Sequence, residues 1–228
     1  MSEGRCIAIV GAESTGKTTL AAALAERLRQ ARAGRVAWVP EVLREWCDAT
    51  GRTPLAHEQG AILRAQHERI AEAAATHDWV VCDTTALMAA VYSTLVFGDE
   101  SLQQRAAELH ARTAAATLLT ALDLPWVADG HQRDGPQVRE PVDALLRALM
   151  QRHRIGYSVV AGSGERRVQQ ALDALRPLRP QRAAPLRGLF TGLASGRSAR
   201  ARWACECCVP EAERALLRAR SDSLRRPS

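Results

Sequence analysis

Residues 11–18 read Gly-Ala-Glu-Ser-Thr-Gly-Lys-Thr and have the composition of a segment that binds phosphate groups. They fit the pattern G-x-x-x-x-G-K-[S/T] at every defined position. Lys17 is the only lysine of a chain that otherwise uses arginine for its positive charges. A compact ammonium acts as a point charge beside a backbone loop, where a planar guanidinium is too broad. We predict a nucleotide phosphate site formed by Gly11, Glu13, Ser14, Thr15, Gly16, Lys17, Thr18 and Thr19.

Two carboxylates follow predicted strands and could take part in phosphoryl chemistry. Asp83 ends an apolar run, where a carboxylate can reach a Mg²⁺ ion that Thr18 also binds. As an alternative, Asp83 is the N-cap of a helix that starts three residues later. Glu41 follows another run, where a general base could take a proton from a substrate hydroxyl. As an alternative, Glu41 is a solvated residue at a helix start.

The elements that must position these residues alternate between strands and helices. Apolar runs typical of buried parallel strands occur at 5–10, 36–39, 79–82, 117–122 and 158–162. Segments with helical character cover about 18–28, 57–76, 86–96, 100–113 and 165–175. This alternation predicts an α/β fold, namely a P-loop NTPase with a five-stranded parallel sheet and helices on both faces. Ligands of such sheets bind at the carboxyl ends of the strands, where the candidate residues lie.

Composition limits the class of protein. A chain of 228 residues with 46% apolar content can bury one sizeable core and a short appendage. No apolar run reaches 18 residues, so we expect no membrane span. The first strand begins almost at the N-terminus, which leaves no evident export signal. Cys6 and Cys82 lie on predicted core strands, which favours reduced thiols and a cytoplasmic location.

Positive charge is concentrated at the C-terminal end of the chain. Residues 1–175 hold 19 Lys and Arg against 21 acids, whereas 176–228 hold 12 Arg against 4 acids. We predict a P-loop domain over 1–175 and a basic, Arg- and Pro-rich, partly disordered tail over 176–228. The tail contains few aromatic residues, so nucleic-acid binding is not expected. Its cysteines are too closely spaced for an ordinary zinc site: Cys205, Cys207 and Cys208.

Four segments, taken in order, resemble the nicotinamide riboside kinase domain of NadR-type proteins and related stand-alone AAA-type ATPases. They are Gly-Ala-Glu-Ser-Thr-Gly-Lys-Thr-Thr-Leu, Val-Pro-Glu-Val-Leu-Arg-Glu, Val-Cys-Asp-Thr-Thr and Pro-Trp-Val-Ala-Asp-Gly, the last followed by Arg133. The similarity spans roughly residues 4–175. It implies ATP-dependent phosphorylation of the 5′-hydroxyl of a small riboside, most simply nicotinamide riboside, with Mg²⁺ as the metal.

The resemblance also implies a role for each matching residue. Lys17 and Thr18 hold the phosphates and Mg²⁺, while Asp83 serves the metal or the sugar. Glu41 and Arg44 face the riboside, and Asp129 borders it. Arg133, with Arg139 as a weaker second candidate, belongs to a lid that closes on the γ-phosphate and stabilises charge in the transition state. The implied catalytic set is therefore Lys17, Glu41, Asp83 and Arg133, and the implied substrate set is Glu41, Arg44, Asp129 and Arg139.

The chain departs from the family pattern in two segments, and these departures bear on the substrate. The third segment reads Asp83-Thr84-Thr85 where Asp-Thr-Asp is usual, and Pro40 stands where an aromatic residue commonly precedes the glutamate. The aromatic residues that could stack on a flat base are Trp46, Tyr92, Phe97 and Trp126. Two alternatives stay open: another nucleoside or nucleoside-monophosphate kinase, and a regulatory ATP-binding switch that is not a kinase. The oligomeric state is not predicted.

Overall fold

A computed structural model of the chain describes residues 4–127 and 135–178. Its centre is a five-stranded parallel sheet in the order β2-β3-β1-β4-β5. The strands are β1 (Arg5–Val10), β2 (Val36–Val39), β3 (Trp79–Asp83), β4 (Ala114–Thr120) and β5 (Ser158–Val160). The predicted fold class is thereby confirmed, and β1 lies at the middle of the sheet.

Seven α-helices in the described residues connect and cover these strands. They are α1 (Lys17–Gln30), α2 (Val42–Thr50), α3 (Gln59–Thr76), α4 (Ala86–Phe97), α5 (Gln103–Thr113), α6 (Arg139–Arg152) and α7 (Gly164–Ala174). Because side chains of a strand alternate between faces, β1 contributes to a core on each side of the sheet. Ile7 and Ile9 pack with α1 and α7, whereas Val10 packs with α4, α5 and α6. Helices therefore cover both faces, as predicted.

Two of these helices were not predicted. Helix α2 is only nine residues long, and Val42 and Cys47 are its two buried residues. Helix α6 carries Pro141 in its first turn, which reads as a helix breaker although the first turn tolerates proline. Both helices begin beside residues that the sequence singled out, Glu41 and Arg139.

The predicted bounds of β4, 117–122, were wrong by two to three residues. The strand runs from Ala114 to Thr120 and follows α5 without a connecting loop. Its first three residues are alanines, which have low strand propensity and extend the helical pattern of α5 in the sequence. Their pairing with β1 supplies the strand conformation that the local sequence does not specify.

Two expectations from the composition, reduced thiols and the lack of a membrane span, concern the described cysteines and helices. Cys6, Cys47 and Cys82 are buried and are not in disulfides. Within residues 4–127 and 135–178, no helix combines the length and the apolarity needed to cross a bilayer. The predictions for the basic tail, including Cys205, Cys207 and Cys208, concern residues almost entirely outside the described ranges.

Candidate active site

The predicted phosphate-binding loop connects the carboxyl end of β1 to the first residue of α1. Gly16 is the N-cap of α1 and has φ 74°, a left-handed conformation that favours glycine. Gly11 has φ 151°, and a Cβ atom there would lie 2.1 Å from Thr120 Oγ1. Both glycines of the motif are therefore required by local geometry. The loop delivers the N-terminus of a 14-residue helix to the sheet edge, where backbone N–H groups attract anions.

The interior of this loop is held by short hydrogen bonds. Thr15 Oγ1 donates to Ala12 O at 2.7 Å and lies 2.7 Å from Thr120 Oγ1, although either hydroxyl can be the donor of the second contact. Lys17 Nζ donates to the same Ala12 carbonyl at 2.9 Å, and the residue is only 9% exposed. Ser14 Oγ donates to Val127 O at 3.0 Å and accepts from Val127 N at 2.8 Å. Lys17 thus lies against the loop in which the motif places it.

Asp83 lies beside this loop because β3 pairs directly with β1. Register places Asp83 opposite Ile9, and Thr18 lies close enough to the Asp83 carboxyl to affect its pKa. Asp83 is 1% exposed, and among the described residues its Oδ1 atom has no hydrogen-bond partner. Burial raises the pKa of the Asp83 carboxyl, and the nearby Thr18 hydroxyl with the charges of Lys17 and Arg44 offsets part of this rise. A cation at this point would favour the charged carboxylate.

The alternative role of Asp83, as a helix cap, is wrong. The N-cap of α4 is Thr85, whose side chain accepts a hydrogen bond from Leu87 N at 3.4 Å. Between Asp83 and Thr85, the backbone of Thr84 has φ 72°, which is unusual for a β-branched residue and marks a strained corner. Asp83 is thus left available for a ligand.

Thr18 and Asp83 fit a magnesium site that substrate phosphates complete better than a metal site formed by protein side chains alone. In the described ranges no group of three or more His, Cys, Asp or Glu side chains could hold a metal ion. Mg²⁺ is typically bound by one or two protein oxygens together with substrate phosphates and water. One hydroxyl and one buried carboxylate beside a phosphate-binding loop are a donor set of this kind.

Glu41 lies at the carboxyl end of β2 and is the N-cap residue of α2. Its side chain is 13% exposed, and Arg44 Nε lies 4.0 Å from Glu41 Oε2. The alternative interpretation of Glu41 as a solvated residue is therefore not supported. Glu41 borders a shallow cleft between α2, α3 and α4, whose other lining residues are Leu43, Ile62, Gln66, Thr84, Thr85, Met88, Ala89 and Tyr92. Thr84 directly follows Asp83, which places the cleft against the same strand end.

Gln66 of α3 holds the turn that carries Glu41, a role that the sequence did not reveal. Gln66 Oε1 accepts from Val42 N at 2.8 Å, and Gln66 Nε2 donates to Pro40 O at 3.3 Å. The amide side chain is 3% exposed. It therefore binds the backbone on either side of Glu41 and limits the directions in which that carboxylate can point.

Thr85 departs from the family pattern and joins a buried polar chain. Its hydroxyl lies 3.0 Å from His110 Nδ1, and His110 Nε2 lies 2.8 Å from Thr117 Oγ1. Burial lowers the pKa of His110 to about 4, so the imidazole is neutral at physiological pH. The residue that replaces the usual aspartate therefore ties the start of α4 to α5 and β4.

Arg139, one of the two arginines expected in the lid over the transferred phosphate, is described. The other, Arg133, lies outside the described residues, as does Asp129, which was expected to border the riboside. Arg139 is 8% exposed and donates from Nη1 to Leu124 O at 2.9 Å. Its Nε and Nη2 atoms have no partner among the described residues. The Leu124 side chain lies 3.1 Å from the position of a Cβ atom on Gly16, so Leu124 lies between Arg139 and the phosphate-binding loop.

The four candidate aromatic residues lie in different places. Tyr92 lines the cleft beside Glu41. Trp46 stacks with the Arg52 guanidinium, 4.8 Å from the ring centroid. Phe97 ends α4 and is 37% exposed, and Trp126 is half-buried after β4. Tyr92 is thus the one of the four that lines the cleft.

Comparison with solved structures identifies similar folds at low sequence identity. NadR in complex with NR aligns with a TM-score of 0.63 and 18% identity, over 77% of this chain and 51% of that one. NadR in complex with NAD and AMP-PNP aligns with a TM-score of 0.59 and 18% identity, over 76% of this chain and 49% of that one. Thymidylate kinase from Ehrlichia chaffeensis aligns with a TM-score of 0.54 and 13% identity, over 78% of this chain and 100% of that one.

The chain spans about half the length of the NadR chains that it matches. No curated protein matches it. The predicted resemblance to NadR is confirmed for the fold, which is that of P-loop kinases. A family model described as an AAA domain matches residues 6–167, and the chain therefore belongs to the AAA domain family.

Proposed function

We propose that the protein is an ATP-dependent small-molecule kinase that phosphorylates the 5′-hydroxyl of nicotinamide riboside. The observation that carries this proposal is that the phosphate-binding loop and the cleft with Glu41 are adjacent at one edge of the sheet. The phosphate-binding loop contacts Asp83 through Thr18, and the cleft with Glu41 begins at Thr84, the next residue. A nucleotide on the loop and a hydroxyl compound in the cleft would therefore meet beside Asp83.

On the nucleotide side, the loop amides and Lys17 bind the β- and γ-phosphates of ATP. Thr18 and Asp83 would hold Mg²⁺, which supplies positive charge to the phosphate oxygens. Arg139, together with Arg133, donates to the transferring group as negative charge grows on it. The two buried donors of Arg139 without a partner in the described residues support this assignment.

On the acceptor side, Glu41 accepts the proton of the attacking hydroxyl. The Glu41 carboxylate is largely buried and lies near the Arg44 guanidinium, and both features restrict its orientation, as a general base requires. Gln66 fixes the backbone that carries it. Tyr92 lies on the cleft wall, where a phenol ring can stack on a flat heterocycle.

The choice of nicotinamide riboside rests on the sequence resemblance and on the fold shared with NadR, which has been solved in complex with NR and in complex with NAD and AMP-PNP. A nucleoside or nucleoside-monophosphate kinase is the second candidate. Thr85 in place of aspartate removes a charged group from the cleft wall, and this one observation favours the second candidate, whose acceptor base is uncharged.

The test is ADP release by the purified protein with Mg-ATP, alone and with nicotinamide riboside, common nucleosides or nucleoside monophosphates. Stimulation by nicotinamide riboside supports the proposal, and stimulation by another acceptor reassigns the substrate. If Mg-ATP binds but no acceptor raises turnover, the protein is an ATP-binding switch and the kinase proposal is overturned.

A further inference from the structure

Arg167 is a buried cation that neither the motif nor the proposed chemistry uses. It lies on α7, is 4% exposed, and has all its described polar contacts with loops at the carboxyl edge of the sheet. Burial lowers the pKa of the Arg167 guanidinium, and the nearby Asp123 carboxylate offsets part of this. A buried guanidinium is costly unless it is paired, so these contacts must hold it in place.

The guanidinium joins three loops. Its Nη2 donates to Thr15 O in the phosphate-binding loop at 2.8 Å, and its Nη1 donates to Gly162 O after β5 at 2.8 Å. The same Nη1 lies 3.6 Å from Asp123 Oδ1, in the turn after β4. Asp123 also accepts a hydrogen bond from Gly162 N. One side chain therefore connects the ends of β1, β4 and β5.

The contact with Thr15 has a directional consequence. The carbonyl of Thr15 and the N–H of Gly16 belong to one planar trans peptide, so they point in opposite directions. When Arg167 fixes the carbonyl on the outer side of the loop, it turns the Gly16 N–H toward the inner side. That N–H is among the groups that a bound phosphate would contact.

We propose that Arg167 is a positioning residue that orients the Thr15-Gly16 peptide for binding the nucleotide phosphates. Asp123 supports it by holding the guanidinium between Thr15 and Gly162. This inference rests on the nucleotide-binding part of the proposed function. It assigns to α7, a helix outside the motif, part of the affinity for Mg-ATP.

The test compares Arg167→Met with Arg166→Met, because Arg166 is the exposed neighbour on the same helix. The Kd of Mg-ATP, measured by titration calorimetry, is expected to rise at least tenfold in R167M and to stay within twofold in R166M. Arg167→Lys keeps the charge but cannot reach both carbonyls, so it should give an intermediate Kd. Asp123→Asn, at an exposed position, should raise Kd two- to threefold.

A second readout needs no nucleotide. Amide hydrogen exchange of residues 11–18 should be faster in R167M than in R166M, while exchange of β1 and β3 stays unchanged. A role of Arg167 in general packing alone would instead speed exchange in the sheet and leave the Kd of the folded protein unaltered, which would overturn the inference. If R167M does not fold, the Kd of Mg-ATP and the hydrogen exchange of residues 11–18 are measured for R167K and D123N instead, and the same results support or overturn the inference. Absence of Mg-ATP binding by the unaltered protein would overturn the proposed function and this inference together.

Discussion

The two sides of the candidate site are built by different means. The centre of the nucleotide side is one continuous segment, residues 11–18, in which Thr15 and Lys17 both bond to Ala12, three and five positions away. Asp83, Arg139 and Arg167 join this segment from other parts of the chain. The acceptor side is assembled from α2, α3 and α4, and its main hydrogen bonds join residues 24 and 26 positions apart. Local contacts can be encoded in a short motif, whereas distant contacts need the folded chain.

The difference suggests a division of function. Binding a triphosphate requires backbone N–H groups and one cation, which a fixed loop supplies for any acceptor. Choosing the acceptor requires shape and side-chain chemistry in a cleft that can vary independently. Substitutions on the two sides should therefore change different kinetic constants.

The largest effect is expected on the nucleotide side. Lys17→Ala removes the ammonium that the proposed function assigns to the phosphates, and kcat should fall by roughly 10³-fold. Affinity for Mg-ATP should fall as well. Steady-state ADP release and calorimetry would measure both, with Arg29→Ala, at an exposed position of the same helix, as the control. Retention of near-normal turnover by K17A would show that the nucleotide binds elsewhere.

Glu41→Gln should have the next largest effect, and only on the acceptor side. Loss of the base should lower kcat by roughly 10²-fold or more, because proton acceptance by a positioned carboxylate contributes about this much. The Kd of Mg-ATP should be unchanged. Glu45→Gln, on the exposed face of the same helix, is the matched control. Equal losses in turnover and Mg-ATP affinity would mean that Glu41 has a structural role.

A smaller effect is expected when Glu41 is kept but its support is removed. Gln66→Leu deletes both hydrogen bonds to the turn at 40–42, and a base that is less well placed should lower kcat by roughly tenfold. The KM for Mg-ATP should not change. Glu68→Leu alters an exposed position of α3 and serves as the control. A change in the Mg-ATP KM alone would contradict the assignment of Gln66 to the acceptor side.

The smallest effect at neutral pH is expected for His110→Asn, which should matter in acid. The folded-state pKa of about 4 lies below the ordinary 6.5, so the unfolded chain takes up the proton first as pH falls. This costs the unaltered protein about 3 kcal/mol of unfolding free energy between pH 6.5 and 4. Urea unfolding should show a flatter pH dependence in H110N; parallel curves for the two proteins would refute the assignment.

Much of the fold could be predicted because its strands have strong local signals. The apolar runs of β1 and β3 are buried almost throughout, those of β2 and β5 are buried only at their last residue, and the phosphate-binding loop is marked by residues at fixed spacing. The two missed helices and the misplaced start of β4 have less distinctive local sequences. Helix α2 has two buried side chains, α6 begins with a proline in its first turn, and β4 starts with three alanines.

The candidate site was predictable only in part for a related reason. Lys17, Asp83 and Glu41 stand next to strand ends, and their types suggest chemistry directly. Gln66 and Arg167 lie inside helices, where polar residues are common and most are solvated. Their partners are backbone groups that become neighbours only after the chain has folded.

The contacts of Arg167 and Gln66 with backbone groups bear on how this protein could diverge. A carbonyl is present whatever residue occupies position 15 or 40. To keep these two hydrogen bonds, the protein must keep Arg167 and Gln66, but the bonds do not depend on the side chains at positions 15 and 40. Descendants can therefore exchange the side chains at positions 15 and 40 while the supporting bonds from the helices are inherited unchanged.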